Sequence, residues 1–166
     1  MGYTVTDWEN EIRLAKEAHI DGFALNMAYG EATNKDSLPL AFTAAANLGG
    51  FQHIFSFDYA GNGSWPKADV INLIKTYGPQ TTYFKHEGTN YPLVSTFEGW
   101  KSAPDWNTIK HETNCFFMPS FSSLGAKRAM DTGVVDGLFS WAGQSISLDY
   151  LFSNHGEMDS IYLESY

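Results

Sequence analysis

Apolar positions along this chain alternate between two periods. From Trp8 they recur at helical spacing: Trp8, Ile12, Ala15 and His19 lie near one face, with Glu9, Asn10, Arg13, Lys16 and Glu17 elsewhere. The Thr6-Asp7-Trp8-Glu9 segment reads as a capping box, so a helix is expected to start there. The period then changes. Asp21-Gly22-Phe23-Ala24-Leu25-Asn26-Met27 is a short, nearly continuous apolar run, as expected of a strand buried on both faces of a parallel sheet.

The same exchange repeats downstream. A helix is expected over Asp36–Leu48, with an early Pro39 and a Gly49-Gly50 stop, and a strand over His53–Asp58. The next expected helix runs from Pro66 to Tyr77, closed by Gly78 and Pro79. Strand candidates at Thr81–Lys85 and Pro92–Glu98 flank the turn-rich Glu87-Gly88-Thr89-Asn90. A helix over Asp105–Glu112, a strand at Cys115–Pro119, a helix near Leu124–Asp131 and a strand at Asp136–Trp141 follow. The tail from Gln144 carries only short helical possibilities, at Leu148–Phe152 and Met158–Tyr166. Strands alternating with helices predict βα units around a parallel sheet. A complete (β/α)8 barrel takes about 250 residues, so 166 residues hold about five units, and the chain opens on a helix with no strand ahead of it.

Composition narrows the function classes. With 43% hydrophobic and 16% aromatic residues the chain reads as an ordered domain. A net charge of -9 repels phosphate backbones and anionic lipid, which argues against a nucleic-acid partner or a membrane surface. No run approaches a membrane span, and no basic and apolar leader precedes Asp7. Cys115 stands alone and reads as a small buried hydrophobe. His19, His53, His86, His111 and His155 show no metal-ligand spacing, so neither a metal nor another cofactor is expected. There is no G-x-S-x-G, and no G-x-G-x-x-G follows Asn26 or Asp58; Asn62-Gly63-Ser64 matches a glycosylation acceptor.

In a barrel, function sits at the C-terminal ends of strands. That rule selects Asn26, Asp58, Tyr59, Glu98, Ser120, Ser122 and Trp141. Carboxylates, amides and hydroxyls bind polyol hydroxyls, and aromatic faces cover the C–H faces of sugar rings. Asp58 and Glu98 are candidates for the carboxylate pair of glycoside hydrolysis. Each could instead cap a helix or pair with a base, a reading that weighs less than the site preference of strand C-termini.

Four blocks in order resemble the strand motifs of fungal family 71 glycoside hydrolases, the endo-α-1,3-glucanases or mutanases. They are Asp21-Gly22-Phe23-Ala24-Leu25-Asn26, Phe55-Ser56-Phe57-Asp58-Tyr59, Val94-Ser95-Thr96-Phe97-Glu98-Gly99 and Val135-Asp136-Gly137-Leu138-Phe139-Ser140-Trp141. The resemblance runs from about Thr4 to Trp141, leaving residues 142–166 as a divergent tail. It implies an α/β fold, an incomplete (β/α)8 TIM barrel over 1–166 with its first strand and last units missing, secretion, and inverting hydrolysis of the α-1,3-glucan of fungal walls. It also implies that Asn26, Tyr59 and Trp141 bind substrate beside Asp58 and Glu98, whereas the principal acid/base pair belongs to a later Asp-x-x-Glu block not found in these residues. The chain by itself is then expected to have little activity. A glucan-binding module without hydrolysis, or an inactive remnant, is the alternative.

Overall fold

Two overlapping boxes compete for the start of the first helix, and the earlier one is used. A computed structural model describes residues 2–141, and in it helix α1 (Val5–Glu17) is capped by Thr4. Thr4 Oγ1 accepts from the Asp7 N–H at 3.3 Å, and the Asp7 carboxylate accepts from the Thr4 N–H at 2.8 Å. The expected box at Thr6 is therefore inside the helix. Starting at Val5 places that side chain on a small core of Ile12, Ala15, Ala44, Ala45 and Phe51, and leaves Glu9 free to pair with Arg13 and Asn47. His19 lies past the helix, in a left-handed turn with φ 59°.

The remaining elements are β1 (Gly22–Ala28), α2 (Ala32–Leu48), β2 (Gln52–Asp58), α3 (Lys67–Tyr77), β3 (Lys85–His86), β4 (Tyr91–Phe97), α4 (Asp105–Thr113), β5 (Phe116–Phe117) and α5 (Ala126–Met130). Strands β1, β2, β4 and β5 run parallel in that order, and β3 joins β4 as an antiparallel hairpin. Gly22 permits the close start of β1 on β2, since a Cβ there would lie 2.4 Å from the Gln52 carbonyl oxygen. Helix α2 begins four residues ahead of the expected Asp36. Glu31 caps it, the Asn34 amide reaches back to the Ala28 carbonyl at 2.8 Å, and Pro39 lies inside the helix.

One face of the sheet is covered by helices. Phe55, Phe57, Val94 and Phe117 point to that side and join Phe42, Val70, Ile74, Trp106 and Ile109 in the main core. Phe117 stacks on Trp106 with ring centres 3.5 Å apart. Each such fully buried side chain stabilises by about 2 to 3 kcal/mol. Cys115 belongs to this core as expected, and burial pushes its thiol up to about 11.

Three expected strands differ. Of Thr81–Lys85 only Lys85 enters a strand; Thr82–Phe84 instead wedges between the lower parts of β2 and β4. There the buried Tyr83 hydroxyl accepts from the Phe55 N–H at 3.0 Å and donates to the Leu93 carbonyl at 3.0 Å, replacing the missing ladder bonds. Tyr83→Phe orphans both groups and is expected to lower stability by about 2 kcal/mol, read from urea unfolding. The strand expected at Cys115–Pro119 shortens to two residues. Its ladder nevertheless continues through the Met118 and Ser120 N–H groups to the Val94 and Thr96 carbonyls. Asp136–Trp141 is not a strand, because the Asp136 carboxylate takes the Phe117 N–H at 2.9 Å while Lys110 holds its other oxygen at 2.7 Å. Among the described residues there are thus four parallel strands rather than five. The helical possibilities of the tail lie outside the described residues. No helix among the described residues is long and apolar enough to cross a membrane.

Candidate functional site

Strand alternation puts every second residue on the sheet face away from the helices. Register then sorts that face into rows. The lowest row is Ala24, Ile54, Leu93 and Phe116; above it stand Asn26, Ser56 and Ser95; at the C-terminal ends stand Ala28, Asp58, Phe97 and Ser120. The face is apolar at the bottom and hydrogen-bonding at the top. Asn26 is exposed, so β1 is not buried on both faces as its apolar run suggested. The four-strand register decides this, since continuous hydrophobicity requires cover on both sides.

Asn26 and Asp58 form one network. Ser56 Oγ donates to Asn26 Oδ1 at 3.2 Å, and Asn26 Nδ2 approaches Asp58 Oδ2 at 3.5 Å. Asp58 Oδ1 accepts from the Ala60 and Gly61 N–H groups at 2.8 and 2.9 Å, which fixes the carboxylate and turns Oδ2 to the open face. Gly61 is packed against this oxygen, since a Cβ there would lie 2.8 Å from the Ala28 Cβ and 3.2 Å from Asp58 Oδ2.

Glu98 follows β4 directly with φ 54°, a left-handed backbone for a residue with a side chain. Both carboxylate oxygens are engaged by Ser123, whose N–H donates at 2.8 Å and Oγ at 2.6 Å. Ser120 and Ser122 share a hydroxyl hydrogen bond of 2.9 Å beside it. Trp141 is 40% exposed and its ring meets Phe97 edge-on at 5.5 Å, with Phe139 at 6.3 Å. Tyr59 goes elsewhere: it is 8% exposed in the helix-side core, and burial raises its hydroxyl far above the ordinary phenol range, with the Asp105 charge adding to the effect.

The structure thus gathers Asn26, Asp58, Phe97, Ser120 and Trp141 around the upper rows, sets Glu98 and Ser122 beside them, and leaves Tyr59 underneath. The sequence reading missed Ser56, Ser95, Phe97 and Ser123. Counting back by two from Asp58 finds Ser56, and Ser95 and Phe97 follow only from their register with Ser56 and Asp58, whereas the grip of Ser123 on Glu98 spans 25 residues and leaves no local trace. Among the described residues no three His, Cys, Asp or Glu side chains converge to hold a metal ion. Amide, hydroxyl and carboxylate groups beside an exposed aromatic ring at the ends of parallel strands have the chemistry that suits hydrogen bonding and ring contact with a polyol.

Comparison with known proteins assigns the class and then the family. The backbone resembles a GH99 endo-alpha-mannosidase from Bacteroides thetaiotaomicron in two structures, one a complex with bis-tris-propane. Both have a TM-score of 0.64, at 16% and 17% identity, covering 82% and 85% of this chain and 46% and 45% of theirs. The fold is therefore a parallel-sheet α/β fold with barrel-like neighbours. The model of glycosyl hydrolase family 71 matches residues 1–161, and the chain belongs to that family. Relatives include a glucan endo-1,3-alpha-glucosidase of Schizosaccharomyces pombe, 31% identical over 154 residues, and a mutanase of Penicillium rubens, 29% identical over 144. Each match covers 84% of this chain but only 35% and 31% of the relative, so the chain spans about a third of their length.

Proposed function

We propose that residues 1–166 form part of a (β/α)8 glycoside hydrolase barrel that cleaves α-1,3-glucan with inversion, in an extracellular protein of fungal-wall metabolism. The observation that carries this reading is family membership together with the row of neutral hydrogen-bonding groups at the strand ends. The barrel reading draws support from the sheet itself. The inner face leaves Ile54, Leu93 and Phe116 only half-buried, β1 pairs with β2 alone among the described residues, and a groove of about 430 Å³ runs along β1 beside Trp8, Phe23 and Leu38. Apolar surface and open strand edges of this kind are ordinarily covered.

Asp58 is the carboxylate proposed to touch substrate, through Oδ2, with Asn26 binding an adjacent hydroxyl and Trp141 covering a ring face. Glu98 acts through the loop it holds, and Tyr59 supports the floor. Because both Glu98 oxygens and Asp58 Oδ1 are already engaged within the protein, binding without cleavage is the second reading. The test is binding to insoluble α-1,3-glucan together with release of reducing ends, against α-1,4- and β-1,3-glucan controls. Specific binding is expected to weaken about tenfold on Trp141→Ala, as loss of one aromatic contact implies. Release of reducing ends with the first anomer inverted supports hydrolysis. Retention on the glucan without release by a longer version that also carries the later Asp-x-x-Glu block selects the second reading, and failure to bind rejects both.

A further inference from the structure

The engagement of Glu98 points to a role the carboxylate-pair reading does not contain. Its backbone takes a left-handed conformation at the tip of β4, which side-chain-bearing residues seldom adopt without local compensation. Four hydrogen bonds supply that compensation. The Glu98 N–H donates to the Ser120 carbonyl at 2.9 Å, Thr96 Oγ1 donates to the Glu98 carbonyl at 2.9 Å, and the carboxylate takes the Ser123 N–H and hydroxyl. These contacts tie the end of β4 to the segment that leaves β5. Within that segment Phe121 is buried against Phe117, so the chain is pinned at Ser120, Phe121 and Ser123; Ser122 and Ser123 are both exposed, and the Ser122 hydroxyl is the one not taken up by Glu98. The Ser122 hydroxyl is then oriented by Ser120 Oγ at 2.9 Å, and Ser120 is the cross-strand partner of Phe97, whose ring carries Trp141.

We propose that Glu98 is a positioning residue that locks the β5–α5 loop, so that Ser122 presents its hydroxyl beside the Phe97–Trp141 platform as a specificity contact for a sugar hydroxyl of a neutral glucan. The sugar part rests on the glucan reading above; the locking part does not. A hydroxyl both donates and accepts, which suits an uncharged polyol and gives no advantage to an anionic one. The geometry also distinguishes this role from proton transfer. Glutamine at position 98 keeps a carbonyl oxygen for the Ser123 N–H and offers its NH₂ to the Ser123 hydroxyl, so it rebuilds the lock without a titrating group, whereas alanine abolishes it.

Two measurements on the 166-residue chain test this. Amide hydrogen exchange at Ser123 is expected to quicken at least tenfold in Glu98→Ala, and Glu98→Gln is expected to recover most of that protection. Ser123→Ala, which keeps the N–H contact and loses the hydroxyl one, is expected to fall between them and serves if Glu98→Ala does not fold. Titration with α-1,3-linked gluco-oligosaccharides is expected to weaken about five- to tenfold in Ser122→Ala and in Glu98→Ala, with the double variant no weaker than either alone. Unchanged Ser123 exchange in both Glu98→Ala and Ser123→Ala overturns the lock. Glu98→Gln binding as weakly as Glu98→Ala overturns positioning in favour of a role for the charge. If the parent chain binds no oligosaccharide, the glucan reading and the Ser122 contact fall together, and the exchange at Ser123 still decides the lock.

Discussion

Gly99→Ala is expected to destabilise the protein by about 4 kcal/mol, the largest effect of any single methyl group added near the site. Two costs combine. Gly99 has φ 93°, where an alanine is strained by about 1 to 2 kcal/mol. Its Cβ would also stand 2.5 Å from Tyr59 Cγ and 2.8 Å from Tyr59 Cβ, and overpacking of this kind costs about 1 to 3 kcal/mol. Tyr59 cannot yield easily because its ring is buried in the main core. Gly63→Ala separates the two costs: Gly63 has φ 94° but no atom within 4 Å of the added carbon, so only the backbone strain is expected there. Urea unfolding of the two variants gives the comparison. Equal losses would show that the contact with Tyr59 does not select glycine at position 99.

Lowering the pH from about 6.5 to about 4 is expected to remove about 3 kcal/mol through His53 alone. His53 is fully buried among Phe42, Phe51, Phe23 and Trp8, with Nε2 on the Ala41 carbonyl at 3.2 Å and Nδ1 without a partner. Burial disfavours the imidazolium and holds the ring down to about 4, against 6.5 in the unfolded chain, despite the opposing bond to Ala41. Between these values the unfolded state binds more protons than the folded state, so stability falls as pH falls; above 6.5 the contribution is flat. His53→Leu is expected to be less stable at neutral pH but to lose less on acidification. The other histidines and the carboxylates titrate in both proteins, so the difference between their pH profiles isolates His53. Parallel profiles would remove His53 as the cause.

Much of the architecture could be read locally. The shift from helical spacing to continuous apolar runs located β1, β2 and β4 to within about a residue at each start, and α3 and α4 likewise. Errors arose where a side chain substitutes for backbone. Tyr83 fills a ladder gap between β2 and β4, and Asp136 caps β5 where a further strand was expected. Neither substitution changes hydrophobic periodicity, so pattern reading could not register it. The capping error has another source: Thr4 and Thr6 are locally equivalent, and the contact of Val5 with the Ile12–Phe51 cluster favours the earlier start.

The candidate site divides in the same way. Strand ends are marked in sequence by polar residues closing apolar runs, which is why Asn26, Asp58 and Glu98 were legible. Side-chain direction is not marked there. Asp58 and Tyr59 are adjacent, yet strand alternation sends one to the open face and the other into the core. The order of residues fixed the alternating α/β class, the acidic charge and the family motifs, because these depend on composition and short spacings. Tertiary structure decided which groups meet: the Asn26–Asp58 network, the Ser123 grip on Glu98 and the Phe97–Trp141 platform each join segments distant along the chain. Hydrogen bonds and ring contacts act over a few ångströms of space, and only folding brings those segments within that distance.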